Sequence, residues 1–226
     1  MNNYRIVNRG EVVEVVLYGD IGAGWFGGIT AMQVKDSLAG LSPDTIEARI
    51  NTAGGDVDEG IAIANLFRDS DADVVAYVDS LAASIGSYIA VHGADEVVMA
   101  SNARMMIHNA WTVAGGDANE FRKVADILDL HNDILIDAYV EKSGRSHDEI
   151  AQMMNEETWM NAEQAVEQGF ADSVGESSLK AAAWFQPERF RNTPPDLNID
   201  DPHPETAPAW KAEAARRRLR LTKSGG

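Results

Sequence analysis

The chain has 226 residues, 45% of them hydrophobic, which is enough to bury the core of one soluble domain with an appendage. It contains no cysteine, so a disulfide framework, a thiolate zinc site and a cysteine nucleophile are excluded. The formal net charge is −17, and residues 209–226 hold six basic residues and one acidic residue, leaving −22 for residues 1–208; so acidic a body repels phosphates and argues against a nucleic-acid partner.

The N-terminal residues lack the basic start and long apolar core of a signal peptide. No run approaches the roughly 20 apolar residues that span a bilayer, so we expect a cytoplasmic protein with no membrane partner. The glycine pair at residues 54–55 lies in neither a Walker pattern nor a GxGxxG pattern, and the sequence predicts no metal and no cofactor.

Apolar periodicity predicts alternating strands and helices. EVVEVVLY at 11–18 is typical of a buried strand, and DTIEARIN at 44–51 alternates with the period of two of a strand. Between these two strands the apolar residues have helical spacing. The same order of strand and helix then repeats, with helices predicted at 57–70 and 84–93 and strands at 73–78, 96–100 and 103–108. Such alternation favours an α/β fold, with helices packed over a mainly parallel sheet.

A long helix is predicted from Ala118 to Lys142, with Gly144 ending it. Its apolar residues are too many for one stripe, so we expect a second face to be buried against another subunit. Capping-box spacing then predicts two further helix starts, at Ser146 with Glu149 and at Asn161 with Gln164.

The composition changes near residue 178. Six of the seven prolines lie between Pro187 and Pro208, among polar residues. We therefore predict a folded domain over 1–178, followed over 179–226 by a disordered proline-rich linker and a basic C-terminal tail. The tail is expected either to stay disordered as well or to form a short basic helix.

Ser84 is the first candidate for chemistry. It follows the strand DVVAYV by a five-residue turn and opens the helix SIGSYIA, where backbone N–H groups are free and the helix dipole favours negative charge. Taken alone, the stretch is more typical of an N-cap serine.

Two further features lie near predicted strand ends. Gly54 and Gly55 in INTAGGDVDEG follow a strand and precede a helix, and there a backbone N–H can serve as an oxyanion donor, although paired glycines also form plain turns. His108 ends a predicted buried strand, at the sheet edge where α/β folds place their sites. Serine, glycine turn and histidine together are the parts of acyl-transfer chemistry.

Four runs of the chain resemble a known family. INTAGGDVDEG, LAASIGSYIA, MMIHNAW and ETWMNAEQAVEQGFADSV occur in the order and spacing of the Clp protease proteolytic subunit, especially the Clp-like proteases of phage capsid gene clusters. The resemblance covers about residues 11–175. It implies a ClpP/crotonase-like fold and a serine endopeptidase inside a homo-oligomeric ring, a heptamer or double ring. It also implies head (prohead) maturation in the host cytoplasm, with a capsid or scaffold polypeptide as substrate.

Residue by residue, the resemblance makes Ser84 the nucleophile, His108 the general base, and the N–H groups of Gly54 and Ile85 the oxyanion hole. The predicted long helix corresponds to the family's handle, which joins subunits. A strand that pairs with an extended substrate corresponds to Trp111, Thr112, Val113, Ala114, Gly115 and Gly116.

Three positions depart from the family pattern. The acidic triad member, usually Asp, is Glu157 here, with Asn155 and Glu156 as rivals, and Ala53 replaces the proline of the family's SPGG run. We expect only about ten residues before the first strand, which leaves no segment for axial pore loops and argues against an unfolding Clp ATPase as partner.

Two other hypotheses remain open. A non-peptidase crotonase-fold enzyme would bind an acyl-CoA thioester with the same two N–H groups and need no serine nucleophile. A catalytically inactive assembly or scaffold component is the third, suggested by Glu157 and the long tail.

Overall fold

A computed structural model describes residues 4–23, 28–176 and 190–194. The described residues up to Asn192 belong to one compact unit; Thr193 begins a second, of which only residues 193 and 194 are described. No helix within these ranges is long and apolar enough to cross a membrane. The predicted disordered tail over 179–226 lies outside the described residues, except for 190–194.

Strands and helices alternate along the chain, as predicted. The strands are β1 (Arg5–Asn8), β2 (Val12–Tyr18), β3 (Thr45–Thr52), β4 (Asp73–Ala83), β5 (Glu96–Ala100), β6 (Arg104–Ile107), β7 (Thr158–Asn161) and β8 (Ser173–Gly175). The helices are α1 (Ala31–Leu38), α2 (Val57–Arg68), α3 (Ile85–Gly93), α4 (Ala118–Ser143), α5 (His147–Asn155) and α6 (Ala162–Glu167).

The strands form a mainly parallel sheet in the order β1-β2-β3-β4-β5-β8. Strands β2 to β5 and β8 run parallel, and β1 pairs antiparallel with β2 at one edge. In the central strand β3 buried residues alternate with partly exposed polar ones, so one face of the sheet at this strand forms the core and the other is only partly covered. Helix α3 is buried along almost its whole length, so it lies in the interior of the fold.

Strand β4 exchanges partners along its length. Its first half pairs with β5, whereas Leu81–Ala83 pair with β6. β6 pairs in turn with β7, antiparallel. The ends of β4 and β6 and the start of β7 therefore meet at one place in the fold.

The structure corrects two expectations about strands. The first strand, β1, begins at Arg5, so the expectation of about ten preceding residues is wrong. The predicted five-residue turn before Ser84 is also wrong, because β4 continues through Ala83. Residues 79–83 extend because β3 and β6 supply pairing partners for them, a tertiary effect that local composition does not carry.

Both capping boxes are present, at the starts of α5 and α6. Helix α4 ends at Gly144 with φ of 70°, the left-handed conformation that glycine adopts without steric cost. Its last turns are buried at Leu135, Ile136 and Tyr139, whereas Ile127 and Leu130 stay exposed in the single chain.

Candidate active site

The site begins at Ser84, between β4 and α3. Its φ of 55° is left-handed, which costs a non-glycine residue of order 1–3 kcal/mol. Its side chain makes no capping hydrogen bond to α3, so the N-cap interpretation does not hold. Its N–H donates to the Met106 carbonyl of β6 at 3.0 Å, which fixes the serine beside the end of that strand.

The Ser84 hydroxyl is directed at His108. The Oγ lies 2.8 Å from His108 Nε2, the separation at which an imidazole takes a hydroxyl proton. His108 is 6% exposed and follows the last residue of β6. Pairing of β4 with β6 sets this distance, because Ala83 lies opposite Met106.

Glu157 lies on the other side of the imidazole. In the antiparallel β6–β7 register Ile107 pairs with Thr158. His108 follows Ile107 and Glu157 precedes Thr158, so these two residues are neighbours. Glu157 Oε2 is 3.9 Å from His108 Nδ1, beyond hydrogen-bond length. Glu157 is 3% exposed, and its φ is 53°.

The two rivals of Glu157 point elsewhere. The Asn155 side chain accepts a hydrogen bond from Asn109 at 2.7 Å, and that of Glu156 accepts one from Gln152 at 2.8 Å. Glu157 is therefore the acidic side chain of this stretch that faces the imidazole.

The electrostatics of His108 favour its neutral form. Burial lowers the pKa of His108 below its usual 6.5; the Glu157 carboxylate opposes this, and the Arg191 guanidinium adds to it. A neutral imidazole at pH 7 can accept a proton, which suits a general base.

Gly54 and Gly55 differ in what their backbones contribute to the site. The Gly54 N–H donates to Thr52 Oγ1 at 3.0 Å and so is already engaged, contrary to its expected oxyanion role. A Cβ at Gly54 would lie 2.7 Å from Ser84 Cβ, so this position needs glycine for close approach to the serine.

Gly55 has the geometry expected of a donor. The Gly54 carbonyl and the Asp56 N–H both bond to Ile21, as a parallel bridge requires. In that pattern the N–H of Gly55 itself faces the opposite direction. Gly55 also lines the cavity at Ser84.

The second predicted donor is Ile85, the first residue of α3. An N–H in the first turn of a helix has no acceptor within the helix, and this one follows directly after the serine. The side chain of Ile85 is buried in the core, so the backbone is what this residue offers to the site.

A cavity of about 150 Å³ opens at the serine. Its lining is made of Ala53, Gly55, Val57, Ser84, His108, Ala110, Trp111 and Phe190. The predicted substrate strand, residues 111–116, begins at this cavity and is exposed, with no assigned strand. An edge that pairs with a substrate has no need of a partner within its own chain.

Residues of the predicted tail also reach this site, which sequence reasoning did not foresee. The N–H groups of Arg191 and Asn192 donate to the two carboxylate oxygens of Glu157, at 2.8 and 2.6 Å. The ring of Phe190 lies 5.9 Å from that of His108. No periodicity or motif in this stretch signals such contacts.

A larger cavity, about 550 Å³, lies elsewhere and shares no lining residue with the one at Ser84. It is polar and is lined by residues of α2, α3 and α4 and of the loops after α2 and α3. Among the residues described, no group of three or more metal-ligating side chains occurs. The hydroxyl–imidazole pair therefore lies at the smaller cavity, away from the larger one.

Three comparisons with known proteins give consistent results. The chain is 33% identical over 132 residues to the ATP-dependent Clp protease proteolytic subunit of Streptococcus sanguinis (strain SK36), covering 57% of this chain and 67% of that protein. It is 29% identical over 142 residues to subunit 2 of Rhodococcus jostii (strain RHA1), covering 62% and 73%. A mutant form of ClpP1 from Listeria monocytogenes shares the fold, with a TM-score of 0.63 and 24% identity over 73% of this chain and 92% of that one.

The sequence model of the Clp protease family matches residues 30–178, a range that contains Ser84, His108 and Glu157. Because this match spans more than half of the chain and relatives with the same name accompany it, the protein belongs to the Clp protease family of serine-type endopeptidases.

Proposed function

We propose that the chain cleaves peptide bonds with Ser84 as nucleophile, His108 as general base and Glu157 as the acid that stabilises the imidazolium. The observation that carries the proposal is the 2.8 Å contact between Ser84 Oγ and His108 Nε2. The left-handed backbone of Ser84 supports it, because the strain leaves the hydroxyl aimed at the imidazole instead of capping α3.

The chemistry follows from these positions. His108 Nε2 takes the Ser84 proton while Oγ attacks the substrate carbonyl, and the imidazolium then gives that proton to the leaving amine. The oxyanion is held by the N–H groups of Gly55 and Ile85, with Gly55 in place of Gly54. One such donor typically contributes roughly 2.7–4 kcal/mol to barrier lowering. Water activated by His108 then releases the acyl group.

We also propose that the substrate is an extended polypeptide that pairs with residues 111–116. These residues are exposed beside the cavity, and Val113 is 88% exposed. Main-chain pairing binds many sequences alike, so selectivity rests mainly on the small cavity at Ser84. Cleavage of capsid or scaffold protein during phage head maturation is proposed from the sequence resemblance alone.

Self-assembly into a ring is part of the proposal. Helix α4 exposes Ile127, Leu130 and Ile134 in the single chain, and an apolar helix face of this kind is commonly buried against another subunit. The acyl-CoA alternative needs no serine–histidine contact, so the geometry at Ser84 favours the peptidase.

A fluorophosphonate probe tests the nucleophile. It reacts with an activated serine, so we expect stoichiometric labelling on Ser84 in wild-type protein and none in Ser84→Ala. The matched control is Ser37→Ala, which removes a hydroxyl of α1 that donates to the Gln33 carbonyl and makes no contact with Ser84. Mass spectrometry of the labelled peptide locates the adduct. Absence of labelling in assembled wild-type protein would refute the proposal and favour the scaffold hypothesis.

A further inference from the structure

We propose that the segment Phe190–Asn192, beyond the family-matched region, is a positioning element of the active site. In this proposal it holds the Glu157 carboxylate in place beside His108 and walls one side of the cavity at Ser84. The inference rests on the proposed function, since it assigns a role to Glu157 in the triad.

The first observation is how the Glu157 carboxylate is bonded. It is buried, and a buried carboxylate needs hydrogen-bond donors to replace the water that it loses. From residues 4–176, the indole N–H of Trp159 donates to Glu157 Oε1, with Nε1 and Oε1 3.3 Å apart. The two shorter bonds come from the segment, with Arg191 N–H on Oε2 at 2.8 Å and Asn192 N–H on Oε1 at 2.6 Å. The segment thus supplies the main donors to this acid.

The second observation is that the segment is anchored on both sides of that carboxylate. The Asn192 side chain donates to the Glu156 carbonyl at 2.7 Å. The Phe190 ring packs edge-on against Trp159, at 5.4 Å between centroids, and tilted against His108. It joins a small apolar cluster with Leu81 and Met106. These contacts fix the donors against Glu157 and the ring against the imidazole.

The third observation separates positioning from blockage. A cavity of about 150 Å³ remains open at Ser84, with Phe190 as one of its walls. The described hydrogen bonds of the segment go to Glu156 and Glu157, while Ser84 Oγ keeps its contact with His108. The segment therefore borders the reacting atoms and leaves room for a substrate.

The test uses a substitution that removes one donor. Asn192→Pro abolishes the N–H on Glu157 Oε1, whereas Asn192→Ala keeps that N–H and removes only the side-chain bond to Glu156. A charge-assisted hydrogen bond accounts for about 10- to 100-fold, so we expect kcat on a short peptide to fall by that factor in Asn192→Pro. The loss in Asn192→Ala should be several-fold smaller, with KM within about twofold in both.

Two readouts separate positioning from general loosening. Because the Glu157 charge raises the pKa of His108 against the effect of burial, a displaced carboxylate should move the acid limb of kcat/KM to lower pH in Asn192→Pro. In a Glu157→Gln background the same proline should cost less than about threefold, since two changes that act through one group are not additive.

If Asn192→Pro does not fold, the test is instead a comparison of amide hydrogen exchange between wild-type protein and Glu157→Gln. The amides of residues 191 and 192 should lose protection while those of β6 and β7 keep theirs. Increased kcat in Asn192→Pro would identify the segment as a block and overturn the proposal. Equal losses in the proline and alanine variants, or amide protection unchanged by Glu157→Gln, would overturn it as well.

Fluorophosphonate labelling separates this inference from the proposed function. If wild-type protein is labelled and Asn192→Pro is labelled at the same rate, the positioning role is refuted and the proposed function stands. Wild-type protein that is not labelled refutes the triad and, with it, the role of the segment.

Discussion

Backbone strain marks the two residues that flank His108. Ser84 and Glu157 are the non-glycine residues with positive φ in the described part of the chain. Each such conformation costs of order 1–3 kcal/mol and persists only where surrounding contacts hold it. Here the N–H of Ser84 donates to the Met106 carbonyl and that of Glu157 to the Met154 carbonyl. The strain therefore lies at the residues that orient the histidine.

The lowered pKa of His108 predicts the pH dependence of cleavage. A general base works only when unprotonated, so kcat/KM should fall as pH drops through this pKa. Burial is the largest influence and places the pKa below 6.5; we therefore expect activity to persist at pH 6.5 and the acid limb to lie lower. A limb centred above 6.5 in a kcat/KM profile would contradict the assignment of His108 as base.

Arg191 offers a second test of the same group. Its positive charge lowers the pKa of His108, so Arg191→Gln, which keeps the backbone N–H, should move the acid limb to higher pH. The control is Arg122→Gln on α4, where the guanidinium bonds to Asn119; its profile should match wild type. Coincident profiles for all three proteins would remove Arg191 from the electrostatics of the site.

At this scale the sequence predicted the side chains better than the backbone. Residue type at element ends made Ser84 and His108 candidates, and the family resemblance is what favoured them as catalytic and added Glu157. The expectation for Gly54 did not match the structure, because the direction of an N–H depends on the bridge that residues 54–56 make with Ile21. That bridge joins residues more than thirty positions apart, so no local pattern contains it.

The strands β4, β6 and β7 together place the three side chains. Long elements with clear periodicity were predicted, including α2, α3 and α4. Strand β7 was not, since its four residues lie between α5 and α6 and are only partly buried. Its pairing with β6 is what sets Glu157 beside His108, so a short, weakly patterned element carries much of the site geometry.

A largely buried ion cluster formed by residues of β2, β3 and β4 gives a stability prediction. Asp79 accepts hydrogen bonds from Arg49, with Nε at 2.9 Å, and from the Tyr18 hydroxyl at 2.6 Å. Removing one partner of a buried ion pair costs about 3–5 kcal/mol, because the other charge is left uncompensated. Asp79→Ala should lower the free energy of unfolding by about that amount, as measured by denaturant titration.

The matched control is the exposed pair Arg68–Glu141, whose side chains are 46% and 57% accessible. Solvent screens such pairs, which typically contribute about 0–1 kcal/mol. Glu141→Ala should therefore unfold within about 1 kcal/mol of wild type. Equal effects of the two alanine variants would show that the ion cluster at Asp79 gains nothing from burial.

For the whole molecule, composition predicted a folded body with a proline-rich tail. It did not predict that residues 191 and 192 bond to Glu157, thirty-four and thirty-five positions earlier. Those bonds use backbone N–H groups, which every residue except proline carries. Side-chain patterns therefore hold no signal for them, and only the folded chain brings the groups together.

The exposed apolar surface of α4 predicts a contact between subunits, which can be tested. Ile127, Leu130 and Ile134 are 53%, 63% and 42% exposed, and their spacing places them on one side of the helix. Leu135 and Tyr139, which pack into the core, lie on another. A stripe of this kind gains free energy when a second copy covers it.

Leu130→Glu places a charge in the middle of that stripe. Burying an unpaired carboxylate is costly, so we expect sedimentation velocity to show smaller species than in wild type, and peptide cleavage to fall with the size of the assembly. Asp129→Glu, at the neighbouring exposed position, adds bulk without changing charge and should sediment as wild type. If Leu130→Glu also sediments as wild type, the stripe is not a subunit contact, and the interface must lie on another face of the domain.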